Sequence, residues 1–339
     1  MILTATPVAL TALATAFAGL SSSEMTQAMY HRSLAAQHQS RAGDQWAFFQ
    51  AKRIRGSGIE SSLEVLQAVG HPEPFDPRKV DARLGKMIDT LGKQAGSEWA
   101  DEISGPLERI KQIRQQLAAL QGDKADGLSY LTAARLPSVE PRPLPDAEAR
   151  QNYEEVVAAI TKRQPESETT ALVVRLRPET IDEAIRLAED DADRFDKACE
   201  EANELVRQLR SIFKDLGAAI RSFRGDKGPL REAVATFDRL DASFRAAAMD
   251  YEARRYRQEA AFNRRAAEAY EVRVRRSGVE SDRHRERSKR FFYSMLLAQV
   301  GATVSALALA RAQRSLLWLL AAVAGVVALG FTGYVYLSY

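Results

Sequence analysis

Four histidines, one cysteine and an acidic triplet are the residues of this chain best suited to hold a proton, a metal or a covalent bond. The histidines are His31, His38, His71 and His284. His31 and His38 stand seven apart, too far for the i, i+4 spacing by which two helical imidazoles share one metal, and no carboxylate completes a ligand motif with them. The chain has no glycine-rich phosphate loop, no Gly-x-Ser-x-Gly elbow and no His-Glu-x-x-His motif. Asp190, Asp191 and Asp193 cluster, but the solvated face of a helix explains them. A lone Cys199 excludes an intramolecular disulfide and any multi-cysteine metal centre. No catalytic residue, metal ligand or cofactor is expected, and the chain is not read as an enzyme. With 48 basic and 45 acidic residues the net charge is only +3, which gives no case for a nucleic-acid partner.

Two groups keep a binding chemistry. Arg283, Arg285, Arg287, Lys289 and Arg290 crowd the entry to an apolar run, and Arg311 and Arg314 follow that run. Such cations either set membrane topology or meet anionic lipid, where each gains about 1 kcal/mol. Trp46, Phe48 and Phe49 form an aromatic group that either packs in a helix face or meets a partner.

The elements that position these groups follow from the charge distribution. No Asp, Glu, Lys or Arg precedes Glu24, and no acid follows Lys289. Phe291–Ala310 and Ser315–Tyr339 are uncharged and long enough to cross a bilayer as helices. Only Arg311 to Arg314 separate them, which predicts a hairpin. Aromatic residues mark both ends, and Gly301 with Ser305, and Ala321 with Gly325, permit close helix contact. Ile2–Leu20 is a third apolar run; membrane anchor and cleaved signal both remain open for it. The basic flank places the large polar region in the cytoplasm.

The polar middle reads as long helix. One or two helices leave the first run and reach about Gly56, and Gly56, Gly58 and the Gly70–Pro74 stretch punctuate the chain. Val80 to Leu91 and Leu107 to Leu120 carry amphipathic spacing. Pro137, Pro141, Pro143 and Pro145 predict a linker, and Ala171–Leu176 is the only strand-like patch. Pro178 opens the clearest helix. Ile181, Ile185, Ala188, Ala192, Phe195, Cys199, Ala202, Val206, Leu209, Phe213, Leu216, Ile220 and Phe223 step strictly by 4 and 3. That is a coiled-coil seam, with Cys199 as a core thiol. Arg224–Pro229 breaks it, and a second seam, Leu230, Ala233, Phe237, Leu240, Phe244, Ala247 and Tyr251, is expected to pack antiparallel on the first.

The stretch Asp44-Gln45-Trp46-Ala47-Phe48-Phe49-Gln50-Ala51-Lys52-Arg53-Ile54-Arg55 resembles a bacterial family of uncharacterised membrane-anchored proteins, a domain-of-unknown-function family. Its members look like one N-terminal span, a helix with a DQWAYYQAK-like stretch, a charged helical region and a C-terminal two-span hairpin. The resemblance supports the first span and implies no activity.

The expected fold class is all-α: long antiparallel helices with coiled-coil character, plus transmembrane helices. The expected organisation is residues 1–20 as anchor or signal-like span, 21–136 as a helical region, 137–178 as linker and extended segment, 179–290 as heptad-bearing hairpin and charged stalk, and 291–339 as transmembrane hairpin. The expected function is a membrane-anchored scaffold or protein-interaction module; the alternative is a non-catalytic subunit of a transport, channel-like or signalling system. The expected partners are the lipid bilayer and either another protein or a second copy through the seam. The expected location is a bacterial inner membrane, multi-pass, with the polar body cytoplasmic.

Overall fold

The computed structural model describes residues 2–94, 100–123, 125–133, 135–222, 228–310 and 315–338. Its helices are α1 (Ile2–Gly70), α2 (Pro77–Gln94), α3 (Ala100–Asp123), α4 (Ala125–Thr132), α5 (Ala147–Thr161), α6 (Glu166–Arg175), α7 (Pro178–Arg221), α8 (Gly228–Ala310) and α9 (Ser315–Ser338). There is no strand among the described residues, so the fold is all-α. The chain divides into two units. The first comprises Met1–Gly43, Leu144–Ile185 and Ala267–Tyr339, and the second Asp44–Pro143 and Arg186–Ala266.

Three sequence expectations need correction. α1 runs unbroken through Gly43, Gly56 and Gly58 and ends only at Gly70. Gly56 sits against α8 within the helix instead of breaking it: a Cβ there would make ordinary contact, 3.5 Å from Tyr256 Cβ and 3.6 Å from the Ala253 carbonyl. The strand-like patch Ala171–Leu176 is helical in α6 through Arg175, and only Leu176 is extended. Its β-branched residues serve a helix whose Val173 is fully buried. Within the expected linker, residues 135–144 are irregular, but α5 follows at once, capped by Asp146, whose carboxylate accepts from the amides of Glu148 and Ala149.

In the second unit, α7 and α8 run antiparallel, as the two seams required. Gly217 faces Phe237, Phe213 stacks on Phe244 with centroids 4.5 Å apart, the Tyr251 hydroxyl meets Asn203 at 3.1 Å, and Phe195 meets Phe262. The described seam residues of α7 are buried apart from Ala192, which is half-buried; Phe223 lies outside the described residues. A third buried row, Leu205, Ile212 and Ala219, repeats at the same interval. Two rows suit a two-helix seam, and a third requires more neighbours. α2, α3 and α4 supply them through Leu84, Met87, Ile110, Leu117 and Leu128 in one shared core. Phe75 packs edge to face against both Phe213 and Phe244, and the Ser243 hydroxyl holds the Glu73 carbonyl at 2.6 Å.

Cys199 is buried between Phe195 and Phe262, and that burial pushes its thiol up to about 11. Asp191 overturns its reading as a solvated acid: its side chain is fully buried. It accepts from the Arg142 backbone amide at 2.8 Å and the Arg142 guanidinium at 2.7 Å, with Arg194 at 3.3 Å and Arg265 at 3.7 Å. One carboxylate thereby ties the proline-rich segment to α7 and α8. Asp190 is half-buried beside Arg142 and Arg186, and Asp193 is exposed.

The first unit contains three helices with stretches long and apolar enough to cross a membrane, in α1, α8 and α9. The inner positions of α8 and α9 are mostly small, while α1 brings Leu10, Ala14 and Phe17 against them. Ser294, Ala298, Gly301, Ser305 and Ala308 of α8 are buried, as are Ala321, Gly325 and Ala328 of α9. Their large side chains point outward: Leu307, Leu316, Leu319, Val326 and Leu337 are exposed. Leu10 of α1 fits against the two glycines, its methyls 3.4 Å and 2.9 Å from where a Cβ would stand on Gly301 and Gly325. Small residues inside and large apolar residues outside suit lipid, where close backbone approach replaces the hydrophobic effect.

Candidate functional site

Beyond its apolar run, α1 keeps the same 4, 3 spacing with different residues. After Leu10, Ala14 and Phe17 come Ser21, Glu24, Ala28, His31, Ala35, His38 and Ala42. These face α8, antiparallel, at Ser288, His284, Ser281 and Tyr270. The result is a polar helix–helix seam directly adjoining the apolar bundle.

Its geometry is regular. The Ser288 hydroxyl donates to the Ser21 carbonyl at 2.8 Å, and the Ser21 hydroxyl donates back to the Ser288 carbonyl at 3.0 Å. His284 Nδ1 lies 2.6 Å from Glu24, and His31 Nδ1 lies 3.2 Å from Glu280. The two imidazoles stack between those carboxylates, centroids 5.3 Å apart and planes 7° from parallel. Each carboxylate also faces an arginine: Arg287 is 3.9 Å from Glu24, and Arg276 is 2.9 Å from Glu280. Arg276 further donates to the Val173 and Val174 carbonyls, meeting the exposed end of the α6 backbone with a cation. The Ser281 hydroxyl donates to the Ala28 carbonyl at 2.8 Å.

Two turns beyond His31, His38 packs near Tyr270 with its Nδ1 buried and unpartnered. Burial, with Arg273 and Arg41 nearby, holds this imidazole below its ordinary range, and Asp182 opposes them. Chemically the seam is an array of hydroxyls, imidazoles and carboxylates that can hold protons and lock register. Among the described residues no three His, Cys, Asp or Glu lie together as metal ligands.

The sequence-selected cations divide. Arg287 turns inward to Glu24. Arg290 and Lys289 share Glu286 at 3.5 Å and 3.6 Å. Arg283, Arg285 and Lys289 are exposed. Arg311 and Arg314 lie outside the described residues. In the second unit Trp46 and Phe49 are half-buried and meet edge to face at 5.5 Å, whereas Phe48 is exposed. His71 has φ 40° and closes the C-terminus of α1, its amide donating to the Gln67 carbonyl.

The polar seam escaped the sequence reading because that reading followed large apolar residues. A stripe of Ser, Ala and His at heptad spacing carries the same periodicity with little hydrophobic contrast. Three of the chain's four histidines lie on it, and that was the available signal.

Residues 3–114 match the family model described as Domain of unknown function (DUF4337). The match includes the Trp46 stretch and leaves the C-terminal hairpin outside it. No curated protein matches the chain, and no solved structure does.

Proposed function

We propose that this chain is a membrane-anchored helical scaffold whose polar body lies in the cytoplasm and presents a surface to a protein partner. The observation that carries the reading is the apolar three-helix bundle, small inside and large outside, built on helices that also supply the packed polar body. The resemblance to a family with one N-terminal span and a C-terminal hairpin supports it, and the setting proposed with it is a bacterial inner membrane. The exposed Arg283, Arg285 and Lys289 suit the cytoplasmic face of an anionic bilayer. The seam of α7 is filled by α8 of the same chain, so a partner would use other surface, with Phe48 the most exposed of the Trp46, Phe48 and Phe49 group. The stacked His31–His284 pair favours a second reading, a signalling subunit without its own catalytic centre.

Two measurements test the proposal. Reporter fusions at Gly122 and Tyr339 should both report cytoplasm; periplasmic signals at both overturn the orientation. Affinity capture of the full chain from solubilised membrane should recover a stoichiometric protein that Phe48→Ala loses. A chain recovered alone and monomeric overturns the scaffold.

A further inference from the structure

A cleft of about 340 Å³ opens between α7 and α8 in the second unit, apart from the polar seam. Phe213, Phe237 and Phe244 lie at its base, each almost wholly buried, with Met249 half-buried beside them. Gly217 lets Phe237 approach, because a Cβ there would lie only 2.8 Å from the ring. Arg210, Lys214 and Arg221 of α7 and Arg245 of α8 line it, against a single acid, Asp241. Two of these cations are committed elsewhere: Arg245 pairs with Asp241 at 2.7 Å, and Arg210 pairs with Glu252 at 2.8 Å. Lys214 is exposed and forms no ion pair among the described residues. Arg221 lies over the Phe237 ring at 6.0 Å and pairs with no carboxylate among the described residues. Met249 and the narrow margins of those rings, beneath two cations that form no ion pair among the described residues, match a ligand that is apolar at one end and doubly anionic at the other. We propose that this cleft binds a phosphate monoester with an apolar or aromatic body, its phosphate on Lys214 and Arg221 and its body against Met249 and the margins of the phenylalanines.

The test is calorimetric titration of the full detergent-solubilised chain at low ionic strength, with phenyl phosphate and inorganic phosphate as probes. Phenyl phosphate should bind saturably and more tightly than inorganic phosphate. The double variant Lys214→Ala, Arg221→Ala should weaken it by about tenfold or more, since both lost contacts are charge-assisted. Both positions are exposed, so the variant should fold. Lys197→Ala, outside the cleft, should leave binding unchanged. In nanodiscs, competition by phosphatidic acid supports a lipid as the source of the phosphate, and undiminished binding supports a soluble ester. The absence of saturable binding, equal affinity for the two probes, or a double variant that binds like the parent overturns the proposal.

Discussion

The two ends of α8 bury different surfaces. From Leu230 to Tyr251 the buried positions are chiefly Leu, Phe and Tyr, and they meet Phe213, Leu209 and Phe75. From Ser277 to Ala308 they are Ser, Ala and Gly with one aromatic, Phe291. One helix thus uses two ways of holding a neighbour. Where water is the competing solvent, large apolar side chains gain by leaving it. Along Phe291–Ala308, whose outward side chains suit lipid, that gain vanishes, and small side chains let backbones approach. The Ser277–Ser288 stretch before it is held instead by hydroxyls that reach carbonyls of α1.

The contrast can be broken by experiment, with stability read from denaturation of the solubilised chain. Phe244→Ala should have the largest effect, a loss of about 3–5 kcal/mol, because it empties a core shared by Phe213 and Phe75. The opposite exchange should hurt the other end. Gly301→Leu must displace Leu10 and the Ala321 carbonyl, costing about 1–3 kcal/mol. If Gly301→Leu proves neutral, the small-residue packing is not what holds the bundle. Ser281→Ala should cost less, about 0.5–1.5 kcal/mol, for one hydrogen bond to Ala28. A loss equal to that of Phe244→Ala would erase the distinction between the ends.

The smallest effect concerns pH. His38 is held below the ordinary imidazole range, so the unfolded chain binds its proton more readily than the folded one. Stability is then full above about pH 6.5 and falls as the pH drops through the folded value. Thermal melts should be lower at about pH 5 than at about pH 7.5, and His38→Gln should narrow that gap. An unchanged gap would remove His38 from the account.

The α7 and α8 cores were legible because thirteen apolar residues at strict spacing leave little choice of face. The spans were legible because charge begins only at Glu24 and no acid follows Lys289. Gly56 misled because a glycine in ordinary helix–helix contact looks, in sequence, like one that ends a helix. Asp191 misled because its arginine partners come from three separate segments, which local pattern cannot assemble. The polar seam stayed hidden because its small hydroxyl residues carry almost no hydropathy contrast.

The Ser21–Ser288 pair joins residues 267 positions apart. At about 5–20 residues per second, α1 leaves the ribosome some tens of seconds before its partner exists. Through that interval Leu10 and Phe17 have neither Gly301 nor Ala298 to meet, and Glu24 has no His284. A seam of hydroxyls, imidazole and alanine tolerates such a wait in water, and the apolar part tolerates it in lipid. The order of synthesis therefore makes α1 a helix that must be stable alone first, and selective only when the last quarter of the chain arrives.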